Sequence, residues 1–455
     1  MLDLNLFKTW ILENKNYTHR TIKDILSRLR RADNLLEFKD EDIYIFFLEK
    51  EFIKLNISNS VQSQIKHAVM LYREFLRSKQ TKIKVLSLFS NIGVAEAYLE
   101  DMGIEVCVAN EIEVRRAKLY SSIYPNTHMI CGDINDNKIK SLIIDSSKHC
   151  GVNTIIATPP CQGMSTAGLQ LADDERNLLI CPVIEIIKEI KPLYVVLENV
   201  SMFLKTTIKV KDRDILIPDY ITEFLSDEYH ITFNIINTKD FEVPQTRERA
   251  IVLLSRKDRN NKVWELPNKS NKQVTLFDAI GDLPPLDPFV SDINHDEFKR
   301  MFPRYECRRK EALSISKWHT PPTHIFRQVL VMQHTPTGKS AFDNKEFFPK
   351  KINGEPVKGY RNTYKRQDWD KPAYTITMDN RKISSQNNVH PGRVINKKLN
   401  LYSDARVLTL YEIMLVMSLP KEWPIPKDTS EAFLRRIIGE GIPPLFIKKL
   451  FEKLL

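Results

Sequence analysis

The chain has 455 residues, 42% hydrophobic and 28% charged, a composition that excludes an intrinsically disordered protein and allows two or three domains. Its 68 Lys and Arg against 58 Asp and Glu leave a formal charge of +10, which suits a polyanionic partner without identifying one. No apolar run approaches the roughly 20 residues of a membrane span. The opening MLDLNLFKTWILENKN lacks a signal peptide's basic region and unbroken apolar stretch, so a cytoplasmic protein with no membrane partner is expected.

In chain order, residues 1–80 read as a helical domain. Apolar residues recur at helical spacing in Ile22, Ile25, Leu26 and Leu29, and again in Ile65, Val69, Tyr72 and Leu76. Thr18 and Ser58 are candidate N-caps. From residue 81 the texture changes to short β-branched runs alternating with amphipathic stretches: IKVLSLF, EVCVANE, HMICGDI, TIIATPP, PLYVVLENV, HITFNIINT and RAIVLLS. That alternation predicts a doubly wound α/β sheet, whose ligands sit at the carboxyl ends of the strands. Between about Lys257 and Trp369 the pattern dissolves into a Pro-, Lys- and Arg-rich stretch with scattered aromatics. The cysteines Cys107, Cys131, Cys150, Cys161, Cys181 and Cys307 form no CxxC pair and fit neither a zinc site nor a disulfide framework, so each is expected as a free thiol.

In such a sheet the functional loops begin at the strand ends. After the first run comes Phe89-Ser90-Asn91-Ile92-Gly93, a turn in which Gly93 can admit a close ligand and Asn91 can tolerate a positive φ. Glu111 ends the second run and Asp133 the third; carboxylates there suit ribose hydroxyls and an adenine amino group. Without a full GxGxxG, a nucleoside cofactor lacking a pyrophosphate is favoured over NAD. The fourth run leads into Thr158-Pro159-Pro160-Cys161-Gln162-Gly163, which sets a thiol in a Pro-stiffened loop as a nucleophile candidate. The fifth leads into Glu198-Asn199-Val200, and Gln245-Thr246-Arg247-Glu248-Arg249 opens the last. These supply a carboxylate able to protonate or hydrogen-bond a base, and guanidinium donors. The competing reading of Glu198 and the arginines is a set of surface ion pairs.

In this order the motifs resemble those of C5-cytosine DNA methyltransferases over roughly Lys82 to Leu455. The matches are LFSNIG (88–93), PPCQG (159–163), RNLL (176–179), ENV (198–200), QTRER (245–249), PAYTIT (372–377), RVLTLYEIMLVMSLPKEW (406–423) and GEGIPP (439–444). The resemblance implies a Rossmann-like, S-adenosyl-L-methionine-dependent fold that flips a cytosine out of double-stranded DNA. It makes Cys161 the thiolate that attacks carbon 6 and Glu198 the partner of ring N3, and it groups Arg247 and Arg249 as organisers of the pocket. The implied cofactor contacts are Phe89, Ser90, Asn91, Gly93, Glu111, Ile112, Asp133, Ile134 and Pro159. It also implies a monomer on DNA, a partnership with a restriction endonuclease, and no metal. His319, His324 and His334 lack a cysteine partner and regular spacing, so no metal site is assigned to them.

Departures from the family pattern are Ser87 at the loop's usual Asp, Asn91 and Val94 at loop positions richer in glycine, and Glu440 where Asn usually follows the last motif's first glycine. The expected domains are the helical residues 1–80, a catalytic core over 81–257, a smaller target-recognition region over 258–370, and C-terminal motifs over 371–455 that complete the core. TIKDILSRLRRADNLL and VQSQIKHAVMLYREFL also resemble the N-terminal helical DNA clamps of tyrosine recombinases, where Arg28, Arg30 and Arg31 either grip DNA or line a solvated face. Two alternatives to a DNA methyltransferase stand: the same chemistry on transfer RNA, against which the long basic stretch before PAYTIT argues, and a silent DNA-binding regulator, against which intact Cys161, Glu198 and Arg247 argue.

Overall fold

The computed structural model describes residues 2–39, 44–79, 83–160, 175–257 and 262–455. The chain divides into two compact units, Met1–Lys82 and Ile83–Leu455. The described residues of the first form four helices: α1 (Leu4–Asn14), α2 (His19–Leu35), α3 (Tyr44–Lys54) and α4 (Asn59–Lys79). Thr18 caps α2, its hydroxyl accepting from the Thr21 N–H at 3.2 Å, which satisfies one of the donors a helix start leaves open. Ser58 precedes α4, and its carbonyl accepts from Gln62 N at 3.0 Å. Ile22, Ile25 and Leu29 of α2 and Ile65, Val69 and Tyr72 of α4 meet Phe7, Ile11, Leu48 and Phe52 in one core. Leu26 and Leu76 are only partly buried at its edge.

In the second unit each of the seven apolar runs forms one strand of a single sheet: β1 (Lys84–Leu88), β2 (Glu105–Glu111), β3 (His128–Cys131), β4 (Thr154–Ala157), β5 (Tyr194–Asn199), β6 (Tyr229–Asn237) and β7 (Glu248–Arg256). Their order is β3-β2-β1-β4-β5-β7-β6. β1 to β5 run parallel, and β7 is antiparallel to both its neighbours. This is the mixed α/β, mainly parallel architecture that the alternation predicts. The order reverses between β1 and β4, where Leu88 pairs with Ala157. The loops leaving those two strands therefore diverge and open the crevice where such sheets bind ligands.

Side-chain alternation gives the sheet two apolar faces, as parallel strands covered on both sides require. Leu86, Leu88, Ile155, Val195 and Leu197 pack against Ile143 of α6 (Asn137–Cys150), Val183 and Ile187 of α7 (Ile180–Ile190) and Ile221 of α8 (Ile217–Leu225). Val85, Ile156, Val196, Ile251 and Leu253 pack against Trp264 and against Phe446, Ile447 and Leu450 of the helix Pro444–Phe451. The Trp264 ring N–H donates to the Leu450 carbonyl at 2.9 Å, so its one polar atom is satisfied inside the core.

A further core gathers Val290, Phe302, Tyr305, Val329, Met332 and Tyr364 with Ile383, Val389, Ala405 and Val407, drawing on residues either side of position 370. The PAYTIT segment returns to the sheet, where Thr246 N donates to Ala373 O at 2.8 Å and Ala373 N to Pro244 O at 2.9 Å. Arg406, fully buried, is compensated by Glu412 at 2.8 Å and Asp404 at 2.9 Å, as a charge in a dry interior must be. The three histidines hold separate places. His319 bonds the Thr409 hydroxyl at 2.9 Å, His324 accepts from Val407 N at 3.4 Å, and His334 stacks on Phe347. Among the described residues no helix is long and apolar enough to cross a membrane.

Candidate active site

The turn after β1 is built from residues with left-handed backbone: Phe89 at φ 56°, Asn91 at φ 53° and Gly93 at φ 80°. Asparagine visits that region readily; a phenylalanine there is held by its surroundings. Ser90 provides the hold, donating to Asn110 O from its backbone N–H at 3.0 Å and from its hydroxyl at 3.1 Å. A Cβ on Gly93 would lie 2.0 Å from the Tyr124 ring, and the Tyr124 hydroxyl donates to Gly93 O at 2.5 Å. Gly93 is therefore required by its φ and by Tyr124, whereas the sequence suggested room for a ligand. Ser87 lies beneath the turn and donates its hydroxyl to the buried Glu96 carboxylate.

The Glu111 carboxylate is fixed by two backbone donors, Asn91 N at 3.0 Å and Glu113 N at 2.9 Å. Burial raises its pKa, while those bonds and the Arg116 charge oppose the rise. Each carboxylate oxygen still has a lone pair to offer. β2 and β3 end side by side, with Gly132 N donating to Glu111 O at 3.0 Å. Ile112 is 62% exposed there and Asp133 is exposed, whereas Ile134 and Pro159 are buried. An open apolar side chain between two acidic residues fits a nucleoside, whose flat base needs an apolar face and whose hydroxyls need acceptors.

Cys161 lies outside the described residues. The residues leading to it are tied down: Thr158 N donates to Leu88 O and its hydroxyl to Phe89 O, both at 3.2 Å. The Asn199 side-chain amide donates to Pro159 O at 3.0 Å. Glu198, adjacent to Asn199, is buried and pairs with Arg249 at 2.8 Å. Burial raises the Glu198 pKa against the opposing pull of Arg249 and Arg247, so this carboxyl holds a proton more readily than a free one. Arg247 is buried as well. Its guanidinium donates to the carbonyls of Ile376 at 2.9 Å, Gly439 at 3.0 Å and Glu440 at 3.1 Å. These bonds tie the PAYTIT and GEGIPP motifs together.

Pro159 and the ENV and QTRER motifs thus converge at the carboxyl end of the sheet's parallel strands. Sequence reasoning gave no role to Asn199, although it sits inside a quoted motif, nor to Arg116 and Tyr124, which no motif contains. Gln245 was also unassigned; its side chain accepts from Ile376 N at 3.1 Å and so aligns the PAYTIT segment.

The family model for C-5 cytosine-specific DNA methylases matches residues 83–455. The Type II methyltransferase M1.HgaI of Avibacterium volantium is 42% identical over 374 residues, covering 81% of this chain and 97% of that protein. Type II methyltransferase M1.HphI of Haemophilus parahaemolyticus is 26% identical, covering 81% and 86%. Among solved structures, a prophage-encoded DNA modification methyltransferase from E. coli superposes with a TM-score of 0.55 at 19% identity, covering 82% of this chain and 98% of that one. The Spodoptera frugiperda DNMT2 mutant gives 0.52 at 16% identity, covering 82% and 99%.

Proposed function

The chain belongs to the C-5 cytosine-specific DNA methylase family, and from that premise we propose that it methylates a cytosine flipped out of duplex DNA through a covalent adduct with Cys161. It is a DNA cytosine-5-methyltransferase of the Type II, restriction-modification kind. In the proposed reaction the Cys161 thiolate bonds carbon 6, and the electron pair of the 5,6 double bond makes carbon 5 nucleophilic. S-adenosyl-L-methionine, when bound, supplies the methyl group as the electrophile. Glu198 donates a proton or hydrogen bond to ring N3, which drains charge from the adduct. Loss of the carbon 5 hydrogen as a proton to a base restores the double bond and expels the thiolate.

The observation that carries this reading is the buried Glu198 held at 2.8 Å by Arg249, beside the Asn199 that fixes Pro159. It supplies an oriented carboxyl with a raised pKa next to the segment bearing the nucleophile. Glu111, Ile112 and Asp133, with the turn Phe89–Gly93 and with Ile134 and Pro159 behind them, would hold the cofactor. Arg249 orients Glu198, and Arg247 braces the motifs around it. The region 258–370 would read base edges while its lysines and arginines contact phosphates, and the helical unit over 1–80 would add DNA contact. A monomer acting on duplex DNA in the cytoplasm, protecting it from a cognate endonuclease, completes the reading.

Bisulfite sequencing of DNA from cells expressing the protein tests it. Conversion-resistant cytosines should appear at one repeated sequence and vanish with Cys161→Ala. Methylation persisting in Cys161→Ala would overturn the covalent mechanism.

A further inference from the structure

Three departures from the family pattern meet at one seam. Asn91 of the cofactor loop donates its side-chain amide to Ile437 O at 3.2 Å and comes within 3.5 Å of the Glu440 carboxylate. Val94 abuts Gly441, where an added Cβ would lie 2.9 Å from its Cγ1. On the other side of Glu440, a Cβ on Gly439 would lie 2.4 Å from Thr377 O. The glycines flanking Glu440 therefore let this stretch of chain press against the loop and the PAYTIT segment at once.

The Glu440 carboxylate receives both ends of a guanidinium. Arg116 Nη1 lies 2.7 Å from one oxygen and Nη2 3.3 Å from the other. Both side chains are largely buried, 16% and 18% exposed, so this pair is stronger than a solvated one. Arg116 belongs to the helix α5 (Val114–Ile123), which starts immediately after Glu113.

The bonds close a ring. Glu111 is held by Asn91 N and Glu113 N, Asn91 reaches Glu440, Glu440 pairs with Arg116, and Arg116 returns through the first turn of α5 to Glu113. We propose that Arg116 and Glu440 form a clasp that fixes the orientation of Glu111 and thereby sets cofactor affinity. In this chain the clasp stands in place of the loop glycine and last-motif asparagine usual in the family. The inference rests on the reading of Glu111 as a cofactor ligand. It makes Arg116 and Glu440 positioning residues, acting through a carboxylate they do not touch.

Calorimetric titration of S-adenosylhomocysteine into the full chain tests the clasp. Glu440→Gln and Arg116→Leu should each weaken binding about tenfold, and the double variant should stay within about threefold of the weaker single, because both remove one link. The KM for S-adenosylmethionine should rise in step while kcat changes less, a split that general loosening of the fold would not give. Single variants binding within twofold of the parent, or losses that multiply in the double variant, would overturn the clasp. Should Arg116→Leu fail to fold by circular dichroism, Asn91→Gly keeps the ion pair and the backbone N–H on Glu111 and removes the side-chain amide that reaches Ile437 and Glu440. It should still weaken binding more than threefold, and unchanged binding would overturn the proposal. A parent protein that binds no S-adenosylhomocysteine would instead overturn the cofactor reading itself, and the clasp with it.

Discussion

The side-chain amide of Asn199 holds the backbone carbonyl of Pro159 at 3.0 Å, joining the strand end that bears Glu198 to the segment that leads into Cys161. Asn199→Ala removes the donor and leaves a buried carbonyl unpaired. Misplacing a nucleophile by about an ångström costs on the order of 100-fold in rate. Single-turnover methylation should fall by about that factor while S-adenosylhomocysteine affinity stays within about threefold. Asn199→Asp should not rescue it, because a carboxylate cannot donate to a carbonyl. A rate within twofold of the parent would show that the loop is positioned by other means.

Duplex DNA carrying fluorine on carbon 5 of the target cytosine should trap the protein. Thiolate attack and methyl transfer proceed, but fluorine cannot leave as a cation, so the last step stops. A denaturation-resistant protein–DNA band should form only with S-adenosylmethionine present and Cys161 intact. An enzyme that methylates ordinary cytosine yet yields no band would point to transfer onto the exocyclic nitrogen.

Glu96 should make stability depend on pH. It is 2% exposed, and burial pushes its pKa from 4.5 up to about 7 despite the hydrogen bond from Ser87. Below about pH 4 the carboxyl is neutral whether folded or unfolded, and no ionisation penalty arises. As pH rises, the unfolded chain ionises first, so folding stability declines until about pH 7 and the loss then levels off, on the order of 3 kcal/mol. Glu96→Gln cannot ionise. Its stability relative to the parent, from denaturant unfolding, should climb between pH 5 and pH 8; a flat difference would mean that Glu96 stays charged in the folded protein.

Chimeras exchanging residues 260–365 with a relative should unfold less cooperatively than the parent, because that cut strands Ile383, Val389 and Val407 against foreign partners in a shared core. An exchange over 286–407 carries the whole core, and it should fold and methylate a different sequence. Bisulfite sequencing reads the specificity and thermal unfolding the fold. Parental specificity retained in the well-folded larger chimera would move recognition outside this region.

The seven strands were legible because each is a short run rich in apolar and β-branched residues, five of them, β1, β2, β4, β5 and β7, buried on both faces, and the motif residues because they follow strand ends. The second core was less so. Its helices Tyr305–Ile315 and Phe326–Gln333 are short, and its members lie on both sides of the PAYTIT segment, so no local periodicity marks its limits. Gly93 was recognised as special but for another reason, since only packing reveals the Tyr124 ring. Arg116 and Glu440 stand 324 residues apart, and each alone reads as a solvated charge. The bonds of Arg247 to three distant carbonyls depend on a chain path that no motif encodes.

The helix Pro444–Phe451, which covers one face of the sheet, has a consequence for how the protein is made. About 190 residues separate it from the end of β7 at Arg256. At 5–20 residues per second, a ribosome takes roughly 10–40 s to cross that interval. Throughout it, Val85, Ile156, Val196, Ile251 and Leu253 have been synthesised but lack the helix that shields them from water. The nascent sheet is then an exposed apolar surface, the kind of intermediate that chaperones bind and that aggregates when they are scarce. Synonymous codons that slow translation across residues 258–370 would lengthen that exposure and lower the yield of folded protein without altering a single residue of it.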